Sequence, residues 1–322
     1  MTSVLTIHAE RPTGPDLAAL GRAPLAAWLG ALRADDVRVA KPGRHGEYAI
    51  RSVHEAAYLD FLRFAPSEQP DRRICAWVHP GDDMTRVPSD IAGRAGVFLA
   101  DSATSVGVET WDDAQAGADV AVEGALRLIA GDPAVVALSP MPGRHAFGAR
   151  AARRCYLNNA AIAASLLREH FARLAVVSLG RHHANGTQSI FRARDDILTV
   201  SVHCDPAHAY PFYTGYAGEI GEGDGQGSNL NLPLPVDGAW GSVGPSLRLA
   251  FAAVEAFAPE AVILDFGLDP GDGEPVAGGM PAVFSAAAAL FDNAPSWPAL
   301  IIVSISDVEI LPILSRAQIL FK

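Results

Sequence analysis

Three short stretches concentrate the side chains able to do proton, ionic or metal chemistry. Arg181-His182-His183-Ala184-Asn185-Gly186-Thr187-Gln188 sets a guanidinium and two imidazoles just before a turn signal. Met141-Pro142-Gly143-Arg144-His145 carries a second Arg and His on a Pro/Gly loop, and Gly267-Leu268-Asp269 ends an apolar run on a carboxylate. Imidazole suits proton transfer because its pKa lies near neutrality. Arginine cannot act as a base at accessible pH, but its planar fork matches carboxylates and phosphates. Each stretch also has an ordinary structural reading. Adjacent residues at a strand end point to opposite sides, so one of His182 and His183 can face a crevice while the other packs elsewhere. Asn185-Gly186 is a turn former, and so is Asp269 beside Pro270 and Gly271.

The elements around these stretches must bring them together. Ser3–His8, Val135–Leu138, Leu174–Leu179, Ile197–His203, Ala261–Phe266 and Ala299–Ile305 are apolar and read as strands buried on both faces. Helical segments alternate with them: Ala114–Ile129, with Asp112 and Asp113 as candidate caps, Asn158–His170 and Leu247–Phe257. This alternation predicts an open three-layer α/β sheet. In such sheets ligands bind beyond the carboxyl ends of the strands. The clusters at Pro142–His145, Arg181–Asn185 and Asp269–Asp272 all fall there.

Composition narrows the partners. The 322-residue chain has 36 acidic against 25 basic residues, a net charge of −11, and no basic block. Nucleic acid, which needs clustered Lys and Arg, is therefore not expected as a partner. No apolar run is long and clean enough to span a bilayer, and Met1–Ile7 lacks the features of a signal peptide. Cys75, Cys155 and Cys204 are odd in number and far apart, so neither a disulfide framework nor a cysteine zinc site is expected. A reduced, cytoplasmic protein is the expectation. The glycines of Gly221–Gly227 lack a following Gly-Lys-Ser/Thr and helix, so no nucleotide loop is read there.

Arg181–Gln188 resembles the Asp-x-His-His-Gly-Asn-Gly-Thr-Gln signature of the histone deacetylase superfamily. Cys155-Tyr156-Leu157-Asn158-Asn159-Ala160-Ala161-Ile162-Ala163-Ala164 resembles the family's Cys-Tyr-x-Asn-Asn-Ala-x-x-Ala-Ala, and Pro142–His145 its Pro-Gly-His-His. Arg86–Ile91 and Ser201–Pro206 are similar to the acetylpolyamine amidohydrolase branch. The resemblance implies an arginase/deacetylase-type αβα fold with a mostly parallel eight-stranded sheet. It also implies one domain over 1–322, and a loop insertion over about 78–110 that helps members dimerise. Its activity is zinc-dependent removal of N-acetyl groups from polyamines and similar amines.

The departures from the family pattern fall on its chemistry. The resemblance makes His182 and Asp269 metal ligands, but the third ligand position is Gly180 and a supporting Asp is Ser178. The first of the tandem histidines is Arg144, leaving His145. The Tyr expected after the last strand is missing, with Asp307 near its place. A catalytic zinc ordinarily keeps three protein ligands and an open position. No cofactor is therefore expected to bind firmly, and zinc only weakly. Candidate catalytic residues are His145, Arg144 and Asn185; candidate substrate contacts are Arg181, His183 and Asp307. Three readings stand. One is a degenerate homologue that binds a small molecule, or pairs with itself or an active paralogue. Another is a repurposed, metal-independent enzyme acting on an anionic or zwitterionic molecule with His145 as acid–base. The last is a zinc amidohydrolase whose missing ligand comes from Asp307 or His183.

Overall fold

A computed structural model describes residues 4–8, 37–80, 86–139, 141–236, 243–267 and 297–304. Among the described residues ten strands run in chain order: β1 Val4–His8, β2 Val37–Ala40, β3 Ile74–Cys75, β4 Ser105–Val106, β5 Ala134–Ser139, β6 Leu174–Gly180, β7 Ile197–Cys204, β8 Asn229–Leu234, β9 Ala261–Gly267 and β10 Ala299–Ser304. Eight form one sheet in the order β2-β1-β5-β10-β9-β6-β7-β8. Every neighbouring pair in it is parallel. β3 and β4 form a small antiparallel pair. The α/β class and the parallel sheet follow the expectation, and each of the six strand readings falls on an observed strand. Among the described residues no helix is long and apolar enough to cross a membrane.

Helices cover both faces. They are α1 Tyr48–Arg51, α2 Ala56–Glu68, α3 Ile91–Phe98, α4 Thr110–Ile129, α5 Asn159–Leu167, α6 Asn185–Phe191 and α7 Val243–Phe257. Alternation along β6 shows the layering. Ala175, Val177 and Leu179 pack with Leu247, Ala250 and Val254 of α7, whereas Leu174 and Val176 pack with Val120 and Ala121 of α4 and Ala160 and Ala164 of α5. Such two-sided burial is why these strands read as unbroken apolar runs. A third cluster, including Tyr58, Leu62, Phe98 and Tyr156, joins α2 and α3 to the body.

Two local expectations are corrected. Asp112 and Asp113 do not cap α4, which begins at Thr110 with Glu109 at its cap position. They lie in its first turn, where carboxylates complement the helix N-terminal charge. Asn185-Gly186 opens α6 rather than forming an isolated turn. The N–H groups of Gly186 and Thr187 donate to the Arg144 carbonyl at 3.0 and 3.2 Å. Those bonds satisfy helix-end donors that otherwise have no intrahelical partner. A Cβ at Gly186 would run into the Arg144 and Ala146 carbonyls, so only glycine permits this approach.

Candidate ligand site

Four strand ends make the floor of the site. Ser139, Ser304, Gly267 and Gly180 are register neighbours across β5, β10, β9 and β6. This row of small residues leaves a space at the carboxyl end of the sheet, and Arg144 fills it. A Cβ at Gly180 or at Gly267 would overlap the Arg144 guanidinium. One layer below, Asp265 and Ser178 face each other across β9 and β6. Arg144 Nη2 lies 3.3 Å from Asp265 Oδ2 and donates to the Asp265 carbonyl at 3.3 Å. The Ser178 hydroxyl donates to Asp265 Oδ2 at 3.3 Å. The two charged side chains are only 1% and 4% exposed. Burial on that scale requires pairing.

His145 follows Arg144 and is fully buried. Its Nδ1–H donates to Asn185 Oδ1 at 2.7 Å, which leaves Nε2 as the acceptor nitrogen. Its ring meets Tyr210 edge-on, with centroids 5.1 Å apart, and His182 at 6.2 Å. Burial, reinforced by the charges of Arg144 and Arg153, pushes its pKa down to about 3, against the bond to Asn185. His145 is thus neutral at physiological pH and a feeble base.

His182 completes the cluster. Its Nδ1–H donates to the Tyr210 carbonyl at 3.2 Å, so Nε2 can accept from Arg153 Nη2 at 2.8 Å. The Arg153 guanidinium sits 5.0 Å from the centre of the Tyr210 ring, within cation–π range. Arg153 and Arg154 have φ of 46° and 59°. Left-handed conformations cost ordinary residues on the order of 1–3 kcal/mol each and persist where surrounding contacts enforce them. Here Asp101 Oδ2 accepts the Arg153 N–H at 2.7 Å, and Thr104 Oγ1, itself bonded to Asp101, accepts that of Arg154 at 3.0 Å. Asn158 ties the next segment down, capping α5 through Ala161 N–H at 3.0 Å and donating to the Ala146 carbonyl.

His183 and Arg181 lie apart from this cluster. His183 turns away from His182, as adjacent strand-end residues do. Its Nδ1 bonds Ser201 Oγ at 3.1 Å, and its ring packs 4.6 Å from that of His203, beneath Gly215. Arg181 is half-buried, and its charge opposes the rise that burial gives the Cys204 thiol. Among the described residues it joins none of the bonds linking Arg144, His145, Arg153 and His182. Asp269 and Asp307 lie outside the described residues. Two surface clefts, one lined by Lys41, Arg44 and Asp112 and one by Ser52, Arg150 and Arg194, share no lining residue with the cluster.

Sequence reasoning missed Arg153, Tyr210 as a site residue, and Asp265. Asp265 carries a readable signal, a lone carboxylate inside the run Ala261–Phe266. Arg153 carries none, because only the left-handed turn brings it inward.

The family metal does not fit these residues. Gly180 offers no ligand atom, and a guanidinium holds the space where a side chain from it would reach. The Asp265 carboxylate, one layer below, is engaged by that guanidinium. Among the described residues no three His, Cys, Asp or Glu side chains gather as a metal site.

The buried histidines make stability pH-dependent. Burial lowers the pKa of His54 to about 4 and of His145 to about 3, from 6.5. Below 6.5 the unfolded chain binds more protons than the native one, so stability is full above that pH and falls on acidification. From pH 6.5 to 5 these two residues together should remove about 3 kcal/mol. Urea midpoints measured across that range test this; a flat profile would contradict the neutral, buried assignment.

The comparisons with known proteins agree with this architecture. A family model described as "Histone deacetylase domain" matches residues 23–285. The chain is 33% identical over 244 residues to the acetylpolyamine amidohydrolase of Mycoplana ramosa, covering 74% of this chain and 72% of that one. It is 38% identical over 241 residues to that of Burkholderia pseudomallei (strain 1710b), covering 72% and 69%. The crystal structure of acetylpolyamine aminohydrolase from Burkholderia pseudomallei superposes with a TM-score of 0.82 at 30% identity, covering 98% of this chain and 97% of that one.

Proposed function

The chain belongs to the histone deacetylase family, and from that premise we propose that it is a member in which an arginine has taken over the metal position, leaving a pocket that binds a small molecule without hydrolysing an amide. One observation carries this reading: the Arg144 guanidinium occupies the space bounded by Gly180 and Gly267 and is paired there with Asp265. A fixed positive charge at that point repels a cation and holds the carboxylate that could help bind one. His145 supports the same reading. An imidazole with its pKa near 3 has little tendency to take a proton from water or substrate. The scaffold contacts around it, Asn158 to α5 and Asn185 to His145, hold the neighbouring segments in position.

The test uses the full chain. After zinc loading and desalting, the protein is expected to retain far less than one zinc and to release no acetate from acetylputrescine. Stoichiometric zinc together with acetate release would overturn the proposal.

A further inference from the structure

Among the described residues most buried or half-buried arginines are neutralised. Arg63, Arg73, Arg127, Arg144 and Arg168 each lie within ion-pair distance of a carboxylate. Arg153 is half-buried and, among the described residues, has no carboxylate partner. One N–H donates to His182 Nε2 and the guanidinium lies over the Tyr210 ring. A guanidinium carries five N–H donors, so this arrangement leaves most of its capacity unused. Its backbone is nevertheless fixed by Asp101 and Thr104 in the left-handed conformation. A surface arginine free to reach water would need no such bracing.

Resting on the reading above, we infer that Arg153 is the anion receptor of the site, and that the ligand presents a monocarboxylate to it. Arg144 cannot serve, because Asp265 consumes its charge, and Arg181 stands by Cys204. The guanidinium fork matches a planar carboxylate with two parallel hydrogen bonds. One unpaired cation balances one negative charge. A phosphate dianion would bring an excess charge into the field of a chain that already carries −11. The Tyr210 ring and the partly exposed Phe212 beside it offer an apolar wall for the body of the ligand.

The probe pair is benzoate and benzamide, matched in shape and different in charge, titrated at constant ionic strength by calorimetry. The wild type should bind benzoate and discriminate against benzamide. Arg153→Gln should weaken benzoate binding by about tenfold to a hundredfold, the worth of a charged hydrogen bond. Arg153→Lys should recover part of the affinity. Equal binding of both probes, binding of neither, or benzoate affinity untouched by Arg153→Gln would overturn the receptor assignment. Zinc is assayed in the same samples. Benzoate binding that needs bound zinc and is abolished by EDTA would instead overturn the metal-free reading, so the two failures are distinguishable.

Discussion

Arg144→Met is expected to lower the unfolding free energy by about 3–5 kcal/mol, because it leaves the Asp265 carboxylate buried without the guanidinium that balances it. Urea denaturation at neutral pH measures it. The loss has a distinctive remedy. Adding Asp265→Leu removes the buried carboxylate, and replacing a buried pair by apolar groups of similar size is often neutral. The double variant should therefore be more stable than Arg144→Met alone, a non-additivity that packing loss by itself would not produce. Equal or worse stability in the double variant would mean that Arg144 acts mainly as a space-filler.

Restoring a ligand is expected to fail unless Arg144 is removed as well. Gly180→Asp puts a carboxylate against the guanidinium, and the two should pair rather than bind metal. Its Cβ must also displace Arg144, an overpacking cost of about 1–3 kcal/mol. Elemental analysis after zinc loading should find essentially no metal in this variant. Gly180→Asp with Arg144→Met clears the space and supplies the ligand, and should approach one zinc per chain. Zinc at full occupancy in Gly180→Asp alone would refute the view that Arg144 guards the site.

The architecture was legible because burial writes itself into composition. Leu174–Gly180 and Ala261–Gly267 are apolar on both faces, and only a sheet covered on both sides demands that. The helix read over Asn158–His170 is observed as Asn159–Leu167, with Asn158 as its cap. β2 and the small β3–β4 pair were not legible, being only four and two residues long. The site was half legible. Gly180 and Arg144 could each be seen to depart from the family pattern, but not that one departure fills the vacancy left by the other. That fact depends on the register of four strand ends, which no local pattern encodes. Arg153 was hidden more deeply, since backbone dihedrals in the left-handed region are not signalled by two consecutive arginines.

The charge at the heart of this molecule is made on the ribosome. A metal centre must be loaded after folding and can be stripped by a chelator or starved by scarcity. A tethered guanidinium arrives once per chain and cannot dissociate. Arg144 and Asp265 are 121 residues apart, so they meet only when the loop after β5 and the strand β9 have both docked. Assembly of this ion pair and completion of the fold are thus a single event.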